Sequence, residues 1–165
     1  MLENINIVKP GLALAFLGLF FGISMGILFG VNEDVVKGYI DSGIEMHQEL
    51  HDNKSSSKIW RYAQRSHFHA LGISAFSLVV ILLIGFSTLR GHYKKLSSLS
   101  IGLGIFYPLS WFSMFLLAPS LGRSEAHHHW LTTTFVYIGV GGLVCGLFLI
   151  TANLFFGLLN DKNSQ

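Results

Sequence analysis

Four long stretches without a charged side chain divide the sequence, and charged residues stand at the ends of each stretch. These stretches are residues 10–32, 66–89, 96–122 and 126–160. Each exceeds the roughly 20 apolar residues that a helix needs to cross the hydrocarbon core of a bilayer. We therefore predict four membrane spans, at residues 10–31, 66–90, 97–119 and 129–159.

The predicted spans are helices, because backbone groups inside a lipid bilayer must form their hydrogen bonds within the protein. The predicted fold is therefore all-α: a four-helix transmembrane bundle in which residues 1–165 form a single integral membrane domain. Four spans place both termini on one side of the membrane. The connections 32–65 and 120–128 lie on the other side, which we call the loop end.

The long connection contains an amphipathic pattern of its own. Apolar residues and histidines recur at spacings of four, four, three and four: Val36, Ile40, Ile44, His47 and His51. Acidic residues occupy the opposite side: Asp41, Glu45 and Glu49. This pattern predicts an amphipathic helix at residues 34–52, lying at the outer face of the bundle with its apolar side inward.

Composition agrees with a membrane protein and excludes other classes. Only 12% of the 165 residues are charged and 51% are apolar, whereas soluble domains carry about 25% charged residues. A net charge of +2 does not indicate a nucleic-acid partner. Cys145 is the only cysteine, which excludes a disulfide framework. We expect the first span to be retained, because its apolar run is too long for a signal peptide and lacks a cleavage site.

Glycine and proline predict how the spans pack. The first span carries glycines at a four-residue period: Gly18, Gly22, Gly26 and Gly30. Small residues at this spacing allow two helices to approach closely in lipid. The pattern is compatible with packing inside the bundle or with a homo-oligomer. Pro108, in the middle of the third span, predicts a kink there.

Basic residues give the expected orientation. On the terminal side they are Lys9, Arg90, Lys94, Lys95 and Lys162. Three of these lie in the short turn at residues 90–95, whereas the basic residues of the long connection are interspersed with six acidic residues. Because compact clusters of Lys and Arg favour the cytoplasmic side, we predict an inner-membrane protein of a bacterium with both termini in the cytoplasm.

Histidine is distributed unevenly. Seven of the eight histidines lie at the loop end: His47, His51, His67, His69, His127, His128 and His129. Imidazoles without neighbouring cysteines suit haem iron, copper or zinc, and aromatic residues and glycines in the spans below could wall a flat macrocycle. Each cluster alone is also compatible with ordinary polar residues at a membrane interface, and aromatics and glycines are common in membrane helices.

Helical geometry limits which histidines can share a ligand. His47 and His51 are four residues apart, so both can reach one ion. The sequence HQELH does not match the zinc-protease motif HExxH, since Glu49 lies about 200° around the helix from His47. His67 and His69 point to nearly opposite sides. The adjacent residues 127–129 fan out by about 100° each, so at most two of them share a site.

The segment HFHALGISAF, residues 67–76, resembles a stretch of haem–copper oxidase catalytic subunits in which an HFH triplet ligates two haems on opposite sides of one helix. The resemblance implies that His67 and His69 are axial haem ligands near the outer face. The histidines at 127–129 are similar to the paired copper ligands of that family. This chain has far fewer spans than those subunits, and it has no match to their third copper histidine with its neighbouring tyrosine.

From these features we expect a haem- or metal-binding membrane protein with redox or small-oxidant chemistry at the outer, periplasmic mouth of the bundle. The expected cofactor is haem b, with copper, iron or zinc as other candidates, and a quinol or redox protein as partner. The expected haem-binding residues are His67, His69 and His128, with Arg65 and Arg123 neutralising the propionates. The expected metal ligands are His47, His51, His127 and His129.

Further carboxylates are expected to orient these imidazoles: Glu45, Glu49 and Glu125. For the two arginines, snorkelling to the interface is an equally simple role. A haem- or copper-dependent oxidoreductase would fit, but the sequence assigns no catalytic residue. Two other functions stay open: a non-catalytic copper or zinc handling protein, and a structural or assembly subunit of a larger membrane complex.

Overall fold

The computed structural model describes residues 2–161. Lys162, one of the basic residues used to predict the orientation, lies outside the described residues. These residues form five α-helices: α1 (Leu2–Met46), α2 (Ser55–Phe86), α3 (Gly91–Gly102), α4 (Phe106–His128) and α5 (Trp130–Phe156). Helices α3 and α4 together make the third span, so four helical segments are long and apolar enough to cross a membrane. The predicted all-α four-helix transmembrane bundle is confirmed.

Helix α1 continues well past the predicted first span. Within α1, Asn32 alone has non-helical backbone angles (φ −144°, ψ 43°), and the helix is kinked there. The amphipathic helix predicted at residues 34–52 is therefore joined to the first span through a kink at Asn32, and it stops at Met46. A short 3₁₀ turn, Gln48–Leu50, follows it.

The amphipathic character of this extension is confirmed. Val36 and Ile40 are buried at 4% and 0% exposure, and they pack on Ile59 of α2 and Phe115 of α4. The acidic side faces outward. Packing on two other helices stabilises this segment, because a single helical face of this length is marginal on its own.

The glycine face of α1 packs against α2 within the same chain. A Cβ on Gly22 would lie 2.8 Å from Leu71 Cδ2, and one on Gly26 would lie 2.7 Å from His67 Cε1. A Cβ on Gly18 would overlap the Ser74 hydroxyl. Three of the four predicted glycines are thus covered by α2, which leaves only Gly30, with no atom near it, on a free surface. The interface within the bundle, rather than one between copies, explains the four-residue period.

Helices α1 and α3 approach even more closely, at a point that the periodic glycines did not indicate. A Cβ on Gly11 would overlap the carbonyl oxygen of Ser98, and one on Gly102 would lie 2.9 Å from the Gly11 carbonyl oxygen. Backbone therefore packs directly on backbone at this crossing, which only glycine permits.

The third span changes from α-helix to a 3₁₀ turn just before its proline. Helix α3 ends at Gly102, a 3₁₀ turn covers Leu103–Ile105, and α4 begins at Phe106. Pro108 consequently lies in the first turn of α4, where proline removes no intrahelical hydrogen bond. The backbone angles of Leu103 and Phe106 stay right-handed helical, so the kink predicted at Pro108 is replaced by a short 3₁₀ turn ahead of it.

A second break in α4 was not predicted. Gly122 has a positive φ of +78°, a conformation that disfavours residues with a Cβ. It bends the last turns of α4, up to His128, toward the turn that follows α1, where Leu50 is its neighbour.

Span ends differ from prediction where polar residues extend or cap a helix. Helix α2 begins at Ser55, eleven residues before the start of the predicted membrane span, and ends at Phe86 instead of residue 90. Helix α5 ends at Phe156 instead of residue 159, because Gly157 adopts a left-handed conformation (φ 62°) that terminates helices.

Candidate functional site

The loop end brings together the start of α2, the end of α4 and the extension of α1. Its position is fixed by an apolar cluster that includes Ile40, Ile59, Ala63, Phe115 and Ala126. These buried side chains hold three helices together, so polar residues between them project outward in fixed directions.

His67 faces α1. Its Nδ1–H donates to the carbonyl of Gly22 at 2.8 Å, and its ring packs against Phe29 and Phe68 at centroid distances of 5.8 and 5.1 Å. A carbonyl oxygen can only accept, so this contact fixes the proton on Nδ1 and leaves Nε2 as the basic nitrogen.

His69 faces α4. Its Nδ1–H donates to the carbonyl of Arg65 at 2.7 Å, which again leaves Nε2 basic. Its ring stacks on Trp111 at 5.9 Å and meets Tyr107 edge-on at 5.1 Å. The prediction that His67 and His69 face different ways is confirmed.

Of the three adjacent histidines, His127 and His128 have neighbouring rings, whereas His129 has a different role. His128 is exposed, and its Nδ1–H donates to the Ser124 carbonyl at 2.9 Å. Its ring lies 5.0 Å from that of His127. His129 caps α5, since its Nδ1 accepts the Leu131 N–H at 3.3 Å, so one of its nitrogens is already occupied.

His47 and His51 do not form the predicted helical pair. His47 is the residue at which α1 has ended (φ −134°), and His51 follows the 3₁₀ turn in extended backbone. The spacing of four residues therefore no longer places both rings on one face. The Nε2–H of His51 donates to the Pro119 carbonyl at 3.0 Å, while its Nδ1 is buried with no partner among the described residues.

The predicted ligands do not converge on one metal. Within residues 2–161, no group of three or more His, Cys, Asp or Glu side chains is arranged to hold a metal ion. The carboxylates predicted to orient imidazoles, Glu45, Glu49 and Glu125, are exposed, and no hydrogen bond joins them to a histidine in the part of the chain that the structure describes.

The two predicted propionate partners differ in their surroundings. Arg123 is paired with Asp52 at 2.9 Å. The pKa of Asp52 is lowered, chiefly because its carboxylate accepts the Ser55 hydroxyl, with smaller effects from the Lys54 N–H and the Arg123 guanidinium. Arg65 instead stacks on Trp111, with its guanidinium carbon 4.6 Å from the ring centroid. Arg65 is therefore the better placed to meet an external anion.

One arrangement on α2 was not identified in the sequence. Lys58, Tyr62, Arg65 and His69, at spacings of four, three and four, line one face that we call the α2 stripe. Three of its members contact Trp111 of α4. The indole Nε1–H of Trp111 is buried and has no acceptor among the described residues. The helical spacing of the stripe was the signal that could have revealed it.

A hydrogen bond fixes α2 against α4 beside the stripe. The hydroxyl of Ser66, which is fully buried, donates to the Pro108 carbonyl at 3.0 Å. That carbonyl is next to Tyr107, so the bond sets the register in which the stripe meets the aromatic residues of α4.

No protein-family model, curated protein or solved structure matches this chain.

Proposed function

We propose that this integral membrane protein binds haem b on the α2 stripe, with His69 as the axial ligand. The observation that carries the proposal is that His69 combines two features: its Nδ1–H is held by the Arg65 carbonyl, which leaves Nε2 to bind a metal, and its ring lies against Trp111. Metal-bound imidazoles are commonly oriented by such a bond on the second nitrogen.

The neighbours of His69 have the chemistry that a haem requires. Trp111 and Tyr107 supply aromatic surface for a planar macrocycle. The Arg65 guanidinium, which has no carboxylate partner among the described residues, matches a propionate. The unpartnered Nε1–H of Trp111 is a second donor for such a group.

The other predicted ligands suit this site less well. His67 lies on the α1 side of α2 and His128 is exposed at the end of α4, so neither shares a face with His69. We therefore infer one axial imidazole rather than two. Haem held in this way supports electron transfer or the binding of a small oxidant, in keeping with a quinol or protein redox partner.

Haem titration of the purified full chain in lipid nanodiscs tests the proposal. We expect saturable binding with a Soret band, and a loss of affinity of at least tenfold in His69→Ala, about the cost of losing a metal ligand or its support. His92→Ala, at the opposite end of the bundle, and His128→Ala are matched controls that should bind as the parent does. Unaltered binding by His69→Ala, or no saturable binding by the parent, would refute it.

A second candidate function, non-catalytic copper or zinc handling, is favoured by the exposed pair His127 and His128, whose ring centroids are 5.0 Å apart. Two adjacent imidazoles suit a weakly held, exchangeable ion. Calorimetric titration with Cu²⁺ or Zn²⁺ should then give one site that is lost in His127→Ala and kept in His69→Ala. The reverse pattern would exclude this pair.

We further propose a bacterial inner membrane location with both termini in the cytoplasm, supported by the compact bases around the α2–α3 turn. In a Cys145→Ala background, a membrane-impermeant maleimide should label Asn53→Cys in intact cells. It should label His92→Cys only after lysis. Both residues are exposed, so the opposite pattern would reverse the orientation.

A further inference from the structure

A groove of about 230 Å³ lies on the outer side of the first turns of α2, lined by Lys58, Arg61, Tyr62 and Arg65. Its lining holds three cations and one phenol, and no acid. It is a separate feature from the haem proposal, although Arg65 borders both.

The positive charges that line this groove repel one another when no anion is bound. Lys58 and Arg61 are three residues apart, and Arg61 and Arg65 are four apart, the spacings at which like charges on a helix repel. Lys58 also lies at the first turn of α2, which begins at Ser55, where the helix dipole disfavours positive charge. The first turn of α2 contains no acidic residue to offset this.

The nearby acids make their main contacts outside the groove. Asp52 pairs with Arg123 at 2.9 Å and has only a weaker electrostatic interaction with Lys58, and Asp41 accepts the Ser56 hydroxyl at 2.8 Å. Glu33 pairs with Lys37 at 3.0 Å. Within residues 2–161, none of the three bases of the groove forms an ion pair, so a bound anion would relieve their mutual repulsion.

The location of the groove indicates which kind of anion would bind there. The last charged residue of α2 before its uncharged stretch is Arg65, so the groove sits where the helix meets the membrane surface. Tyrosine, here Tyr62, is enriched at that level. Guanidinium groups bind phosphate oxygens in pairs, and juxtamembrane bases attract anionic lipids.

We propose that this groove binds a phosphate group, either on the headgroup of an anionic phospholipid or as the free ion. Arg61 and Lys58 are its main ligands, and the Tyr62 hydroxyl can donate a further hydrogen bond. The site does not depend on haem, and its failure would leave the haem proposal intact.

The test compares the thermal unfolding midpoint of the full chain in nanodiscs of phosphatidylcholine alone and of phosphatidylcholine mixed with phosphatidylglycerol. We expect phosphatidylglycerol to raise the midpoint, and the Lys58→Gln/Arg61→Gln variant to lose more than half of that rise. A Lys37→Gln/Lys54→Gln variant, which loses the same charge at the same end of the bundle, should keep it. Adding inorganic phosphate to phosphatidylcholine nanodiscs distinguishes the free ion from the headgroup.

Two further variants test the proposed phosphate site. Arg61→Lys, which keeps the charge but loses the paired geometry, should give an intermediate rise and covers the case in which the double variant does not fold. His69→Ala should respond to phosphatidylglycerol as the parent does, which separates this site from the haem site. An equal loss in the two double variants would mean unspecific attraction, and no rise in the parent with either probe would equally overturn the proposal.

Discussion

Alanine at Gly11 is expected to push α1 away from α3, because the two backbones touch at this position. The added Cβ would overlap the Ser98 carbonyl oxygen and lie 2.5 Å from its carbon, whereas non-bonded carbon atoms pack at about 3.5–4.0 Å. The helices must separate by about 1 Å to relieve this overlap. Because a backbone carbonyl cannot rotate away as a side chain can, we expect a cost near the upper end of the overpacking range, about 3 kcal/mol.

Equilibrium unfolding in mixed micelles with increasing SDS measures this cost. Gly30→Ala is the matched control, since it lies in the same helix with no atom within 4 Å of the new Cβ, and it should change the free energy of unfolding by less than about 0.5 kcal/mol. Gly102→Ala, on the other side of the crossing, should destabilise in the same way as Gly11→Ala. If Gly11→Ala and Gly30→Ala unfold alike, α1 and α3 do not meet as closely as described.

The remaining predictions concern polar contacts at the loop end. The pKa of Asp52 is lowered, mainly by the Ser55 hydroxyl, so its contribution is present at neutral pH and is lost only as the pH falls through that lowered pKa. Proteolysis of the 51–54 turn should rise over that acidic range in the parent, while Asp52→Asn should be susceptible at all pH values; a parent profile without pH dependence would contradict this. Thr132→Val should cost about 1 kcal/mol of unfolding free energy, since its buried hydroxyl donates to the Ala126 carbonyl at 2.9 Å. Exposed Thr134→Val is the control, and equal effects of the two would show that the buried bond contributes nothing.

The spans could be predicted because the absence of charge over more than 20 residues leaves a chain no alternative to helix in lipid. The partner of each helix could not be predicted in this way. The glycine period predicts that a helix packs closely on α1, and only the folded chain shows that this helix is α2, for example at Gly22. The close contact of α3 at Gly11 lies outside the period and could not be predicted from it. The bend at Gly122 was missed because an isolated glycine has no local signature of a positive φ.

The histidines also show which features the sequence predicts and which depend on the folded structure. Chain topology correctly placed seven of them at one end, and the rotation of 100° per residue correctly separated His67 from His69. The prediction that His47 and His51 share one helical face was wrong, because it assumed that the helix continues between them, whereas it ends at Met46. Where a helix stops depends on tertiary packing, which the spacing of histidines does not encode.

The extension of α1 past Asn32 also bears on how the protein is made. Ile40 packs on residues of α4 such as Ala118, which leave the ribosome about 80 residues later, or roughly 4–16 s at ordinary synthesis rates. During that interval α2 can cover only part of the apolar side of the extension, through residues such as Ile59, and the lipid surface can cover the rest. Insertion of the third span is therefore the step that completes the packing of this segment.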